Sequence, residues 1–287
     1  MASKFDIYAA ISDRIISELE KGSIPWEKPW VTVGASPADY AVSYATGKPY
    51  SLLNQMLLGE PGEYITFNQV QAAGGKVKKG EKSRMVVFWK WLKVKDEQAE
   101  NGEKEIPFLR YFNVFHVNQC EGLPDKAHKP ATLPADPASA DETAEKIIRE
   151  YLQREGVTLT HTSGDRAFYR PATDTVTLPE MDQFKSTAEY YSTAFHELTH
   201  STGHSKRLNR LDMTAFFGSE EYGKEELVAE IGASALVNRA GLETASSFRN
   251  NVAYVQNWLK AIKKDKKLIV SAAGKAEKAV ALILGQA

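Results

Sequence analysis

Apolar residues recur every fourth position at the start of the chain. Ile7, Ile11, Ile15 and Leu19 form one stripe, and the spacing predicts an amphipathic helix over residues 4–21. Gly22 and Pro25 end it. An irregular stretch follows, with Trp26, Pro29, Trp30 and Gly47-Lys48-Pro49-Tyr50, and then short helices near 51–58 and 67–73. The period now changes. Residues 85–95 (MVVFWKWLKVK) and 106–118 (IPFLRYFNVFHVN) read as long strands, joined by an acidic turn whose Asn101-Gly102 pair is a hairpin signal. From residue 142 the helical period returns, first over Glu142–Glu155. The segment AFYRPATDTVTLP predicts two short strands around a Thr173-Asp174 turn. Ser186 opens the next helix, with Glu189 completing a capping box, Tyr191, Ala194, Phe195 and Leu198 as its buried stripe, and Gly203 as its expected end. Three further helices are expected near 223–239, 247–264 and 271–285.

This pattern predicts an α+β protein in two parts. Residues 124–141 are rich in Pro and Ala and poor in large apolar side chains, the composition of a linker. They divide a first domain, 1–123, with a small antiparallel sheet and helices, from a second, 142–287, mostly helical with a short sheet. At 287 residues, 43% hydrophobic and 25% charged, the chain has the balance of a soluble globular protein. Its net charge of −1 gives no global attraction to nucleic acid, so any such attraction must be local. The first residues mix acids and bases without the apolar core of a signal peptide, no stretch approaches a membrane span, and no membrane partner is expected. The single Cys120 rules out an intramolecular disulfide and suits a reducing compartment, so the cytoplasm is the expected location.

Chemistry enters with His196-Glu197-Leu198-Thr199-His200. Positions i and i+4 share a helical face, so His196 and His200 can hold one metal ion, with Glu197 beside them as a general base. The ion expected is Zn²⁺, or another divalent metal such as Mn²⁺. A third ligand must come from elsewhere, and EELVAEIGASAL offers Glu226 and Glu230, four apart among small and apolar residues. Carboxylates there are costly to bury without a cationic partner. Glu226 is taken as third ligand and Glu230 as acceptor for the outer N–H of a ligand histidine; Glu225 is expected to look toward solvent. His204 falls two residues early for the longer HExxHxxGxxH pattern and is read as a loop residue. Glu197 would then move a proton in peptide hydrolysis, and an exposed edge of the DTVTLP strand would pair with an extended peptide.

The first domain is strongly polarised. Residues 73–95 carry eight cations against Glu81 alone, and residues 96–105 carry five acids against Lys104. Trp89 and Trp91 alternate with Lys90. Aromatics beside cations are what sequence-tolerant single-strand binding requires, although strand aromatics equally serve a core. GGKVKKGEK lacks the order of a phosphate-binding loop.

Several ordered motifs together carry a family resemblance: SELEKGSIPWEKPW, TGKPYSLLN, GGKVKKGEK, VVFWKW and LRYFNVFHVNQCEGLP in the first part, DTVTLP, FHELTHSTGHSKRLNR and EELVAEIGA in the second. The chain resembles the ArdC-type antirestriction proteins of conjugative plasmids and related mobile elements over nearly its whole length. The resemblance implies an N-terminal single-stranded-DNA-binding domain and a C-terminal zincin-like metallopeptidase domain, in a protein that accompanies incoming single-stranded DNA and counters host restriction. By position it implies His196, His200 and Glu226 as metal ligands and Glu197 as the catalytic acid/base. The matching motifs suggest Trp26, Lys28, Trp30, Lys48, Tyr50, Asn54, Lys79, Lys82 and Trp89 as DNA contacts. Two alternatives stay open: a metalloprotease whose first domain recruits a protein or peptide substrate, and a DNA-binding protein whose metal is purely structural.

Overall fold

The computed structural model describes residues 5–27, 40–95, 103–124, 137–211, 220–242 and 252–286. Helix α1 (Ile7–Glu20) is capped by the Asp6 side chain and buries Ile11, Ile15 and Leu19, the stripe read from the spacing. Strand β1 (Ala41–Ser43), helix α2 (Leu52–Leu58), strand β2 (Gly62–Thr66), helix α3 (Phe67–Ala72) and the two-residue strand β3 (Lys76–Val77) precede the long pair β4 (Arg84–Lys95) and β5 (Glu103–His116). A short β6 (Cys120–Glu121) pairs with β3. The main sheet has the order β1-β2-β5-β4, with β1 parallel to β2 and the other pairs antiparallel. The Asn101-Gly102 turn lies outside the described residues.

Helix α4 (Pro137–Glu155) begins inside the Pro- and Ala-rich stretch, because a proline at the first helical position loses no intrahelical hydrogen bond. Strands β7 (Thr158–Thr162), β8 (Phe168–Arg170) and β9 (Thr175–Pro179) form a sheet of order β7-β9-β8. The DTVTLP strand is therefore central. Its parallel pairing with β7 and antiparallel pairing with β8 occupy both of its edges, so no peptide can add to it. Helices α5 (Thr187–Ser201), α6 (Glu220–Ala240), α7 (Val252–Lys264) and α8 (Leu268–Ile283) complete the chain. No described helix is long and apolar enough to cross a membrane. The mixed architecture is α+β, as the periodicities require.

The largest shift from the linear reading concerns packing. One hydrophobic core joins Ile11 and Ile15 of α1, Leu53 and Leu57 of α2, and Val87 and Leu109 of the sheet to Leu227 and Ile231 of α6, Trp258 of α7 and Ile269 of α8. Polar contacts run across the same boundary. The Ser12 hydroxyl donates to the Lys266 carbonyl at 2.8 Å, and Lys263 and Lys266 pair with Glu20 and Asp13, each at 2.7 Å. A second core, built on Tyr151, Leu178, Phe195 and Leu236, holds α4, β9, α5 and α6 together. Helix α6 belongs to both.

Candidate metal centre

Helix α5 starts as its sequence dictates, with the Ser186 hydroxyl accepting from the Glu189 N–H at 3.2 Å, and it buries Tyr191, Ala194, Phe195 and Leu198 against the second core. That orientation sends His196 and His200 toward α6. The two helices approach closely because Gly232 has no side chain: a Cβ there would lie 2.7 Å from Thr199 Cγ2. The chain then leaves α5 through Thr202, not at Gly203. Gly203 serves a different purpose, since its Cβ would meet Leu211 Cγ at 2.8 Å as the chain folds back. Among the described residues, His196, His200 and Glu226 are the group with a metal-ligand geometry, their donor atoms all lying within 4.8 Å of one another.

The donors face inward. The two Nε2 atoms are 3.1 Å apart, and Glu226 reaches Nε2 of His200 at 3.2 Å and of His196 at 3.6 Å. Each Nδ1 faces a different carboxylate: Glu225 lies 3.2 Å from that of His200, and Glu230 lies 3.7 Å from that of His196. Carboxylates at Nδ1 fix the ring and leave Nε2 for the ion. Two imidazole nitrogens and one carboxylate oxygen, partly buried, are the donor set of a catalytic zinc site. The residues present fit a divalent cation.

Glu225 does not look toward solvent. The Arg210 guanidinium donates to both its oxygens, at 2.8 and 3.1 Å, and also to the Thr199 carbonyl, so a buried cation offsets the desolvation of a third carboxylate. The only trace of this in the sequence is a basic SKRLNR run after the histidines. Burial disfavours a charge on His200, but hydrogen bonds to Glu225 and Glu226 prevail and raise its pKa to about 10. The pKa of His196 is also raised, against its own burial, by Glu226 and Glu230. Burial pushes the Glu226 carboxyl up, and the two histidines override it and hold it well below the usual range. Protons and a divalent cation thus compete for one place between the Nε2 atoms and Glu226. Glu197 is buried beside the pair, 7% exposed. His204 stays outside the cluster, its Nδ1 accepting from the Lys206 N–H at 3.1 Å. Glu27, which the linear reading passed over, comes from the first part of the chain close enough to Glu230 that burial, and then that charge, push its pKa to about 7.

The candidate DNA contacts separate. Asn54 is a structural residue. It is 1% exposed, and its amide exchanges two 2.8 Å hydrogen bonds with the Val87 backbone, satisfying the outer edge of β4. Trp26 is no open platform either: it is 5% exposed, packs edge-on to Trp258 at 5.5 Å, and accepts from the Ser234 hydroxyl through its carbonyl. Lys48, Lys79 and Lys82 are exposed and Tyr50 is half-buried; Lys28 and Trp30 lie outside the described residues. Trp89 is half-exposed, but it pairs with Leu109 on the sheet face that packs on α1.

The other face carries what the spacing left hidden. Register places Arg84, Val86, Phe88 and Lys90 opposite Val114, Phe112, Arg110 and Phe108. Beyond the buried Val86 and Val114, the rings of Phe88, Phe112 and Phe108 are exposed. Tyr50 lies 6.1 Å from Phe88, Phe88 lies 5.7 Å from Phe112, and the Arg110 guanidinium sits 5.8 Å from the Phe112 centroid. Only the pairing of β4 with β5 brings these residues into one row.

Two family models match separate stretches of the chain. The N-terminal domain of anti-restriction factor ArdC matches residues 5–115, and a zincin-like metallopeptidase family matches residues 143–275. Two Escherichia coli proteins named DNA primase TraC are 36% and 37% identical over 97% and 96% of this chain, which spans only 20% and 27% of their length. Uncharacterized protein y4eC of Sinorhizobium fredii is 30% identical, with 95% of this chain and 89% of that one covered. Crystal structures of the antirestriction protein ArdC from the R388 plasmid, metal-free and Mn(II)-bound, superpose with a TM-score of 0.75 over 98% of both chains, at 35% and 33% identity. With an ArdC-type N-terminal part joined to a zincin-like part along its whole length, the chain belongs to the ArdC antirestriction family.

Proposed function

We propose that this protein binds single-stranded DNA without sequence preference as part of an antirestriction role, and that its second part is a divalent-metal site of peptidase type. The observation that carries the DNA reading is the row Tyr50, Phe88, Phe112 with Arg110 on one open sheet face. Exposed rings give every base a surface to stack on, and the interspersed cations Arg110 and Lys90 attract the phosphates between them. Lys79 and Lys82 extend the positive surface. Likeness to proteins named DNA primase and to an antirestriction protein favours the same partner.

In the second part, His196, His200 and Glu226 would hold the ion, Zn²⁺ or Mn²⁺, with Glu225 and Glu230 orienting the imidazoles. A bound divalent cation supplies Lewis acidity toward a water and a substrate carbonyl. The Glu197 carboxylate takes a proton from the attacking water and returns it to the leaving amine nitrogen. A purely structural ion is the competing reading, favoured by donors that come from two separate helices, so that an ion would tie α5 to α6. Metal analysis, single-strand binding and an antirestriction assay on wild type, Glu197→Gln and His196→Ala separate these. Antirestriction lost in both variants supports catalysis. Loss in His196→Ala alone supports a structural ion, because Glu197 is not needed to hold it. Failure of the wild type to bind a single-stranded oligonucleotide at low salt would overturn the DNA reading.

A further inference from the structure

The row of rings does not stop at the sheet. Tyr50 is also part of the wall of a cavity of about 440 Å³ between the two parts of the chain, with α2 on one side and α6 and α8 on the other. Its volume lies in the roughly 300–1,000 Å³ range of small-molecule pockets. Trp26, Tyr50 and Ile231 give it broad apolar walls, and Asn238, Arg239 and Glu277 bring polar groups to it. Trp26 is 5% exposed, and its indole N–H, without an acceptor among the described residues, is enclosed by protein, so the residue meets the cavity as an apolar wall.

We propose that this cavity takes one nucleobase of a single strand whose neighbouring bases lie along Tyr50, Phe88 and Phe112. The proposal rests on the single-strand reading above and adds a second mode of contact to it. A nucleobase has the matching chemistry: two flat apolar faces, a rim of acceptors for the Arg239 guanidinium, and an adjoining phosphate drawn by Arg110. Tyr50 provides the continuity, since one ring belongs to both the open row and the cavity wall. Helix α6 closes the cavity with Ile231, Ala235 and Asn238, on the side of the helix away from Glu226 and Glu230. The inserted base would therefore press on the helix that supplies a candidate metal ligand.

The test uses the full chain and a single-stranded deoxyoligonucleotide substituted with 5-iododeoxyuridine. Photocrosslinking of the wild type followed by peptide mapping should place crosslinks on Trp26 or Met56, which line the cavity and not the open row, as well as on the sheet. Ala235→Phe on α6 and Ala281→Trp on α8 each fill the cavity without touching the sheet or the histidines. Each should lower oligonucleotide affinity about ten-fold, the size of one lost base stack, with metal content and melting temperature unchanged. Full affinity in both filled variants, with crosslinks confined to the sheet, overturns the cavity proposal and leaves the single-strand reading standing. If one filled variant fails to fold, the other and the wild-type crosslinks decide. If the wild type binds no oligonucleotide, both proposals fall. A crosslinked sheet with Phe88→Ala weakened and the filled variants intact would assign the cavity to some other ligand and refute a nucleobase.

Discussion

The candidate metal centre and the aromatic face are built by opposite means. The centre is made of side chains four residues apart on two helices, locked by buried ion pairs and a glycine contact. The face is made of side chains from two different strands, aligned by strand register and open to solvent. A buried polar cluster is preorganised, and each partner removed leaves another group unsatisfied. An open row of rings is additive, and each ring can be removed at little cost to the fold. Chemistry at a fixed point suits the first construction; tolerant binding along a chain suits the second.

This contrast makes predictions that fall in order of size. His196→Ala should abolish stoichiometric metal binding by removing one of three ligands, measured by metal analysis after dialysis. Retained metal would show that the ion sits elsewhere.

Next comes the support behind the centre. Just after α5, Arg207, whose side chain is 3% exposed, pairs with Asp174, which also accepts from the Tyr169 hydroxyl at 2.8 Å. Asp174→Ala leaves that guanidinium buried without a counter-ion, and should destabilise the fold by about 3–5 kcal/mol in denaturant titration. Burial alone would raise the Asp174 pKa, but hydrogen bonds from Arg207 and Tyr169 outweigh it and depress it. Its contribution is therefore fully present above the unfolded-state value of about 3.9, and is lost as pH falls through the folded-state value. The wild type should lose stability below about pH 4 more steeply than the variant does. Parallel acid transitions would remove Asp174 from the account.

Glu225→Ala should reduce metal affinity about 10–100-fold with the ligands intact, read by competition with a chelating dye. An unchanged affinity would mean that Glu225 orients nothing. On the sheet, Phe88→Ala and Phe112→Ala should each weaken oligonucleotide binding by about 1–3 kcal/mol, with little change in melting temperature. Trp89→Ala makes the sharper comparison, because Trp89 lies on the opposite face. A larger loss there than at Phe88 would move the strand path to the α1 side. The smallest effect belongs to the basic loop, where Lys79→Ala or Lys82→Ala should each lower the salt-dependence slope by about 1.

Legibility followed the same division. The HExxH spacing, the Ser186 cap, the apolar stripe of α5 and the carboxylates of α6 are local patterns with a helical period, and they could be read along the chain. The α1 stripe and the β4–β5 hairpin were legible for the same reason. Asn54 was not, because an amide looks the same in sequence whether it meets a ligand or the edge of its own sheet. Glu225 was misplaced because nothing near it in sequence announces Arg210. The DTVTLP strand looked free because a central and an edge strand share one alternation.

Which helices form, and which side chains share a helical face as candidate metal ligands, follow from spacings within a single element. The packing of elements against one another set which carboxylate supports which histidine and which sheet face is open. It also decided that the two parts share one core and enclose a cavity. Those outcomes depend on register and on the approach of distant elements, where one missing Cβ at Gly232 or one buried guanidinium at Arg210 sets the arrangement. Free energies of that kind belong to pairs of elements, and no stretch of the chain carries them alone.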